Sequence, residues 1–89
     1  MNDLEKYRKE VDRVDQEIIE AIAERTNWVY KIASYKSRND MLIADEEREK
    51  EIFDKIKNMA IENNMSETFV YDLYKLIIEY CRGIQKLRK

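Results

Sequence analysis

From Leu4 to Ser37 the chain runs for 34 residues without a glycine or a proline, and apolar side chains recur along it at helical spacing. Leu4, Val11, Ile18, Val29 and Ile32, with Tyr7, Val14 and Ile22 beside them, form one seam along a single helix face. At 1.5 Å per residue such a helix is roughly 50 Å long. A compact chain of 89 residues has a radius of gyration near ~12 Å and so a diameter of about 30 Å. The helix must therefore overhang its own globule, and its apolar seam does not stop where the overhang begins. A kink that folded it back would call for proline or glycine; proline is absent and Gly83 is the only glycine. A second chain is expected to cover the excess.

The remaining residues divide at two clusters of loop formers, Ser37-Arg38-Asn39-Asp40 and Asn63-Asn64-Met65-Ser66. Three helices are predicted, over 4–37, 45–62 and 67–87. Asp45 precedes Glu46 and Glu47, an acidic opening that suits the positive end of a helix dipole, and Ser66 is placed to cap the third helix. The expected fold is all-α, one domain over residues 1–89, with three helices per chain and a long first helix, assembled as an intertwined helical homodimer. Small size points the same way, because a chain this short buries only a little over ~60% of the surface its unfolded form exposes.

Charge and composition narrow the partners. Seventeen Lys and Arg against nineteen Asp and Glu leave a net charge of −2, which offers no basic field for nucleic acid or anionic lipid. No apolar run approaches the ~20 residues of a membrane span, and no secretory signal opens the sequence. A lone cysteine, Cys81, cannot form an internal disulfide, and a reducing cytoplasm fits best. With no histidine and one cysteine, a transition-metal site and a histidine-based triad are both disfavoured. Chemistry here falls to Arg, Lys, Asp, Glu and Gln.

Most charges of the first helix point away from the seam. Arg25 and Lys36 do not: at about 100° per residue they lie within roughly 40° of the stripe's centre, with Arg8 and Asp15 within about 60°. A cation buried without a counter-ion costs several kcal/mol. Each must meet a carboxylate, reach water, or await an anionic ligand. In the second helix Ile52, Ile56 and Met59 define the apolar stripe, which Asp45, Arg48 and Glu49 extend backwards; Glu49 could accept a hydrogen bond from a ligand hydroxyl. In the third, Val70, Leu73, Tyr74, Ile77, Cys81 and Ile84 make a core line with Gln85 at its edge. Cys81 reads as a packed thiol, since no histidine is present to activate it.

Taken in order, Arg8 in Tyr7-Arg8-Lys9-Glu10, Ala23-Glu24-Arg25, Lys36, Asp45-Glu46-Glu47-Arg48-Glu49, and Leu76-Ile77-Ile78-Glu79 followed by Gln85 resemble the all-helical (AroQ-type) chorismate mutases over residues 4 to 88. That resemblance implies an interlocked dimer with two active sites, each drawing on both chains. It implies that Arg25, and Arg8 from the partner chain, clamp the two carboxylates of chorismate. Lys36 would reach a carboxylate and the ether oxygen, and Gln85 would donate to that oxygen. Glu49 would hold the ring hydroxyl with help from the backbone near Asp45, Arg48 would line the pocket, and Ile32 and Ile78 would be its apolar walls. Cys81 stands where the family often has a serine, and a thiol is the weaker donor to a carboxylate.

The implied reaction, chorismate to prephenate in phenylalanine and tyrosine biosynthesis, is an intramolecular Claisen rearrangement. It requires no nucleophile, metal or cofactor, only a compact dianion and stabilised charge on the breaking ether oxygen. Two alternatives remain open from sequence. One is an isochorismate-pyruvate lyase, which handles a nearly identical dianion in the same kind of pocket; the other is a non-enzymatic helical dimerisation or regulatory module whose seam charges pair internally.

Overall fold

The computed structural model describes residues 2–42 and 45–87, with side chains through residue 84. All its regular structure is helical: Asp3–Arg38 (α1), Glu46–Glu62 (α2) and Glu67–Leu87 (α3), each within a residue of the predicted span.

Local chemistry sets the ends. Asn2 opens α1 by accepting the Glu5 N–H on its side-chain oxygen at 2.8 Å, Asp45 opens α2 by accepting the Arg48 N–H at 3.0 Å, and Ser66 Oγ accepts from Phe69 N–H at 3.2 Å. Each satisfies one donor that a helix start leaves orphaned. In a chain with a single glycine, the C-termini rely on Asx residues. Asn39 and Asn63 close α1 and α2, their side-chain amides donating four residues back to the carbonyls of Tyr35 (2.8 Å) and Met59 (2.7 Å). Asp40 and Asn64 then turn into the left-handed region at φ 52° and 55°, which short polar side chains tolerate better than others do. Met41 N–H returns to Lys36 carbonyl at 2.9 Å and Met65 N–H to Ala60 carbonyl at 2.8 Å, the long bond of a Schellman ending.

α3 is the common partner: it packs on α2 and on α1, while α1 and α2 do not pack on each other. The core centres on Ile56, Ala60 and Val70, with Ile52, Phe53 and Tyr74 half-buried around it. Ala60 is only 1% exposed; its small side chain lets α3 approach α2 closely. The sequence put Met59 on this stripe, but Met59 is exposed, because the contact face is rotated by one residue toward Ile52, Ile56 and Ala60. On α3, Val70, Ile78, Cys81 and Ile84 are buried; Leu73, read as core, is exposed.

α1 is two helices in character. From Ile22 onward, positions 22, 25, 26, 29, 30, 33, 34 and 36 are wholly or partly buried, a 3.6-residue rhythm against α3; residues 2–21 are exposed without exception. Leu4, Tyr7, Val11 and Ile18 of the seam are each half or more exposed. The radius of gyration is 16.5 Å and the long axis 57 Å, against about 12 Å for a compact chain of this length. The overhang expected from sequence is therefore present in the chain. Among the described residues no helix is long and apolar enough to cross a membrane.

Candidate active site

Where the C-terminal half of α1 faces the start of α2 and the end of α3, the three helices enclose an open cleft of about 240 Å³. α1 supplies Arg25, Trp28, Val29, Ile32 and Lys36 at helical spacing. The first turns of α2 supply Asp45, Arg48, Glu49 and Ile52, and α3 supplies Ile78, Cys81 and Arg82. Four cations face two carboxylates, so the cleft is formally +2 within a chain of −2. A second cleft, lined by Phe53, Asp54, Ile56, Lys57, Glu67, Thr68 and Tyr71, has one cation and two carboxylates. Its sign is wrong for an anion.

Arg25 is half-buried, and its partners are neutral. Its guanidinium donates to Cys81 Sγ at 3.2 Å and lies 5.9 Å from the centre of the Tyr74 ring. Among the described residues no carboxylate lies within 4.0 Å of it. An internal ion pair, the bland explanation for a cation in an apolar seam, does not apply to Arg25. Lys36, also half-buried, lines the same cleft three turns along α1. Arg48 is more than half exposed and pairs with Glu51 at 3.2 Å, an exposed contact worth ~0.2–1 kcal/mol.

Glu49 is engaged from across the cleft. Arg82 Nε donates to Glu49 Oε2 at 2.9 Å and Arg82 Nη2 to Glu49 Oε1, a two-pronged pair between α3 and α2. The Glu49 side chain is 20% exposed and that of Arg82 46%. Donation of its hydrogen bonds to Glu49, then the Glu49 charge, hold the Arg82 guanidinium above its ordinary pKa, which keeps it cationic.

Of the residues singled out from sequence, Arg25, Ile32, Lys36, Asp45, Arg48, Glu49, Ile78 and Cys81 line this one cleft. Ile78 and Cys81 are its buried floor, and Ile32 is half exposed at the lip. Arg8 is not in it. It stands exposed on the overhang, seventeen residues before Arg25 and so about 25 Å away along the axis. Gln85 is on the last turns of α3, and its side chain lies outside the described residues. Sequence reading missed Arg82, Trp28, Val29 and Ile52 as cleft residues. Arg82 carried a signal: it lies four residues after Ile78 and three before Gln85, on the same helix face.

The chain matches the family described as chorismate mutase type II over residues 7–86. It is 34% identical to a chorismate mutase of Methanocaldococcus jannaschii across 93% of this chain and 84% of that protein. It is 37% identical to a bifunctional chorismate mutase/prephenate dehydratase of Buchnera aphidicola across 88% of this chain, and there it spans only about a fifth (20%) of the relative's length. A 4-amino-4-deoxychorismate mutase of Streptomyces venezuelae is 30% identical across 91% of this chain and 80% of that protein. A cationic cleft between three helices and a match from the first turns of α1 to the last of α3 lead to one assignment: the chain belongs to the chorismate mutase type II family.

Proposed function

We propose that this chain is a chorismate mutase, converting chorismate to prephenate on the route to phenylalanine and tyrosine, as a single domain in a cytoplasmic homodimer. The observation that carries the reading is Arg25: a half-buried guanidinium, held by a sulfur and an aromatic ring with no carboxylate near it among the described residues, in a cleft with excess positive charge. Such a group is ready to take up a carboxylate.

In this mechanism Arg25 and the partner's Arg8 grip the two carboxylates of chorismate and hold the molecule in a compact, chair-like shape, so the reacting carbons are already close. Lys36 bridges a carboxylate and the ether oxygen. Gln85 donates to that oxygen as the carbon–oxygen bond breaks and negative charge collects there. Fixed donors aimed at developing charge contribute on the order of 3 kcal/mol each. Ile32 and Ile78 keep water from the apolar side, Arg48 closes the rim, and Glu49, with the backbone at Asp45, receives the ring hydroxyl. Cys81, under the Arg25 guanidinium, stands in for a hydroxyl donor.

The exposed seam of residues 2–21 supports the dimer. In that assembly the overhang of one protomer would carry Arg8 to its partner's cleft, about 25 Å from its own. Relatives named for mutase activity favour this reading over isochorismate-pyruvate lyase and over a non-catalytic module. The hydroxylated substrate is preferred to 4-amino-4-deoxychorismate because the Glu49 corner also holds a guanidinium. Purified protein is expected to consume chorismate and release prephenate, and to leave isochorismate intact. Absence of prephenate from a folded sample overturns the reading, and pyruvate released from isochorismate replaces it with the lyase.

A further inference from the structure

We propose that Arg82 is a specificity-determining residue, whose two-pronged pair with Glu49 sets the cleft for a neutral hydroxyl and against an ammonium at the ring position that Glu49 serves. The inference rests on the assignment of Glu49 to the ring substituent and adds to it a residue, a charge and a direction of selectivity.

A carboxylate alone would not discriminate in favour of a hydroxyl. An ionised Glu49 standing by itself accepts a hydrogen bond from either group, and an ammonium brings a full charge as well as donors. The chain does not leave it alone. Arg82 Nε and Nη2 take one lone pair on each Glu49 oxygen, and a carboxylate has about four such sites, so room remains to accept from a hydroxyl. Local charge is then zero instead of −1. An ammonium placed there would gain less from Glu49 and would face the guanidinium, a like-charge juxtaposition that interfaces use to reject wrong partners.

Neighbouring charges do not reverse this. Glu79 and Glu46 act on Arg82 through space but make no salt bridge with it among the described residues. The other charged groups lining the cleft are Arg25, Lys36, Asp45 and Arg48, three cations to one carboxylate, and adding Glu79 and Glu46 brings the surroundings to balance, not to a negative field. The contact links residues 33 apart, on α2 and α3. It therefore forms only when the cleft does, unlike the Arg13 pairs along α1, which lie three and four residues apart.

The test compares kcat/KM for chorismate and for 4-amino-4-deoxychorismate in the parent, Arg82→Gln and Arg82→Lys, with circular dichroism and size to establish folded, equally assembled samples. Parent protein favours chorismate. Arg82→Gln is expected to lower the chorismate-to-amine ratio about tenfold, mainly through a lower KM for the amine, a modest value because Arg82 is partly screened by solvent. Arg82→Lys, which keeps the charge, stays near the parent. As pH rises and the amine loses its proton, the Arg82→Gln ratio converges on the parent's, a response that loss of a merely structural pair would not give. A parent active on chorismate whose ratio is unmoved in folded Arg82→Gln at neutral pH overturns this inference alone. A folded parent inactive on chorismate overturns the catalytic reading and this inference with it.

Discussion

Replacing Arg25 by methionine separates a ligand-binding cation from a structural one, because the two roles predict opposite effects on stability. Methionine keeps a similar length and apolar stem and discards the charge. In the free protein the change loses a weak N–H to sulfur contact and a cation–ring contact at 5.9 Å, the latter near the outer limit of such interactions and worth about 0.5 kcal/mol. It also relieves a half-buried charge that has no counter-ion among the described residues, a gain of about 1 kcal/mol when most of the several-kcal/mol penalty is offset by solvent access. The net effect is between zero and about 0.5 kcal/mol of added stability, so Tm stays level or rises by up to about 2–4 °C. With substrate the balance inverts. Removing one partner of a desolvated guanidinium–carboxylate contact costs about 3–5 kcal/mol, which at 1.36 kcal/mol per decade is about a 10²- to 10⁴-fold fall in kcat/KM. Thermal melts with and without a dianionic transition-state analogue, together with chorismate kinetics, read both quantities. The analogue should raise Tm of the parent and barely move Arg25→Met. A variant that loses 3 kcal/mol of stability yet keeps kcat/KM within a few-fold of the parent would refute the reasoning and make Arg25 a structural residue.

Three further outcomes are expected. Arg8→Ala and Lys36→Ala should each be inactive alone, and mixing them should restore activity through heterodimers that carry one site with both residues intact; no recovery after verified subunit exchange removes Arg8 from the partner's site. Gln85→Glu should be poor at neutral pH and regain activity on acidification, since a carboxyl donates to the ether oxygen only when protonated and repels the developing charge when ionised; a pH profile parallel to the parent's removes Gln85 from that role. Gly83 is helical, and a Cβ there would meet nothing within 4 Å, so Gly83→Ala should stabilise by about 0.5–1 kcal/mol, and a lower Tm instead would mean that another surface packs against this position.

The helices were legible because their determinants are local. Asn39-Asp40 and Asn63-Asn64 terminate α1 and α2 through their own side chains and backbone preference, and the seam of α1 needs only periodicity to be seen. Cleft residues on α1 and α2 were legible for a related reason: Arg25, Lys36 and Glu49 violate the pattern of their own helix. What escaped depends on how helices meet. Met59 has the larger apolar side chain, yet Ala60 is buried, because close approach of α3 rewards a small residue there. Arg82 shares a face of α3 with Ile78 and Gln85, but its meaning comes from Glu49, which only tertiary packing brings within reach. Arg8 shows the converse, a residue marked by sequence whose own chain gives it no site.

The bare first half of α1 also governs how such a protein comes into being. Most helical stability in proteins comes from packing of an apolar face, and residues 2–21 have no packed face among the described residues. In the proposed homodimer their packing would wait for a bimolecular encounter, and the time course of folding would acquire a second-order phase that slows on dilution. With sites shared between protomers as proposed, catalytic competence would follow the square of chain concentration when copies are few, so a cell making little of this protein would lose activity faster than it loses protein.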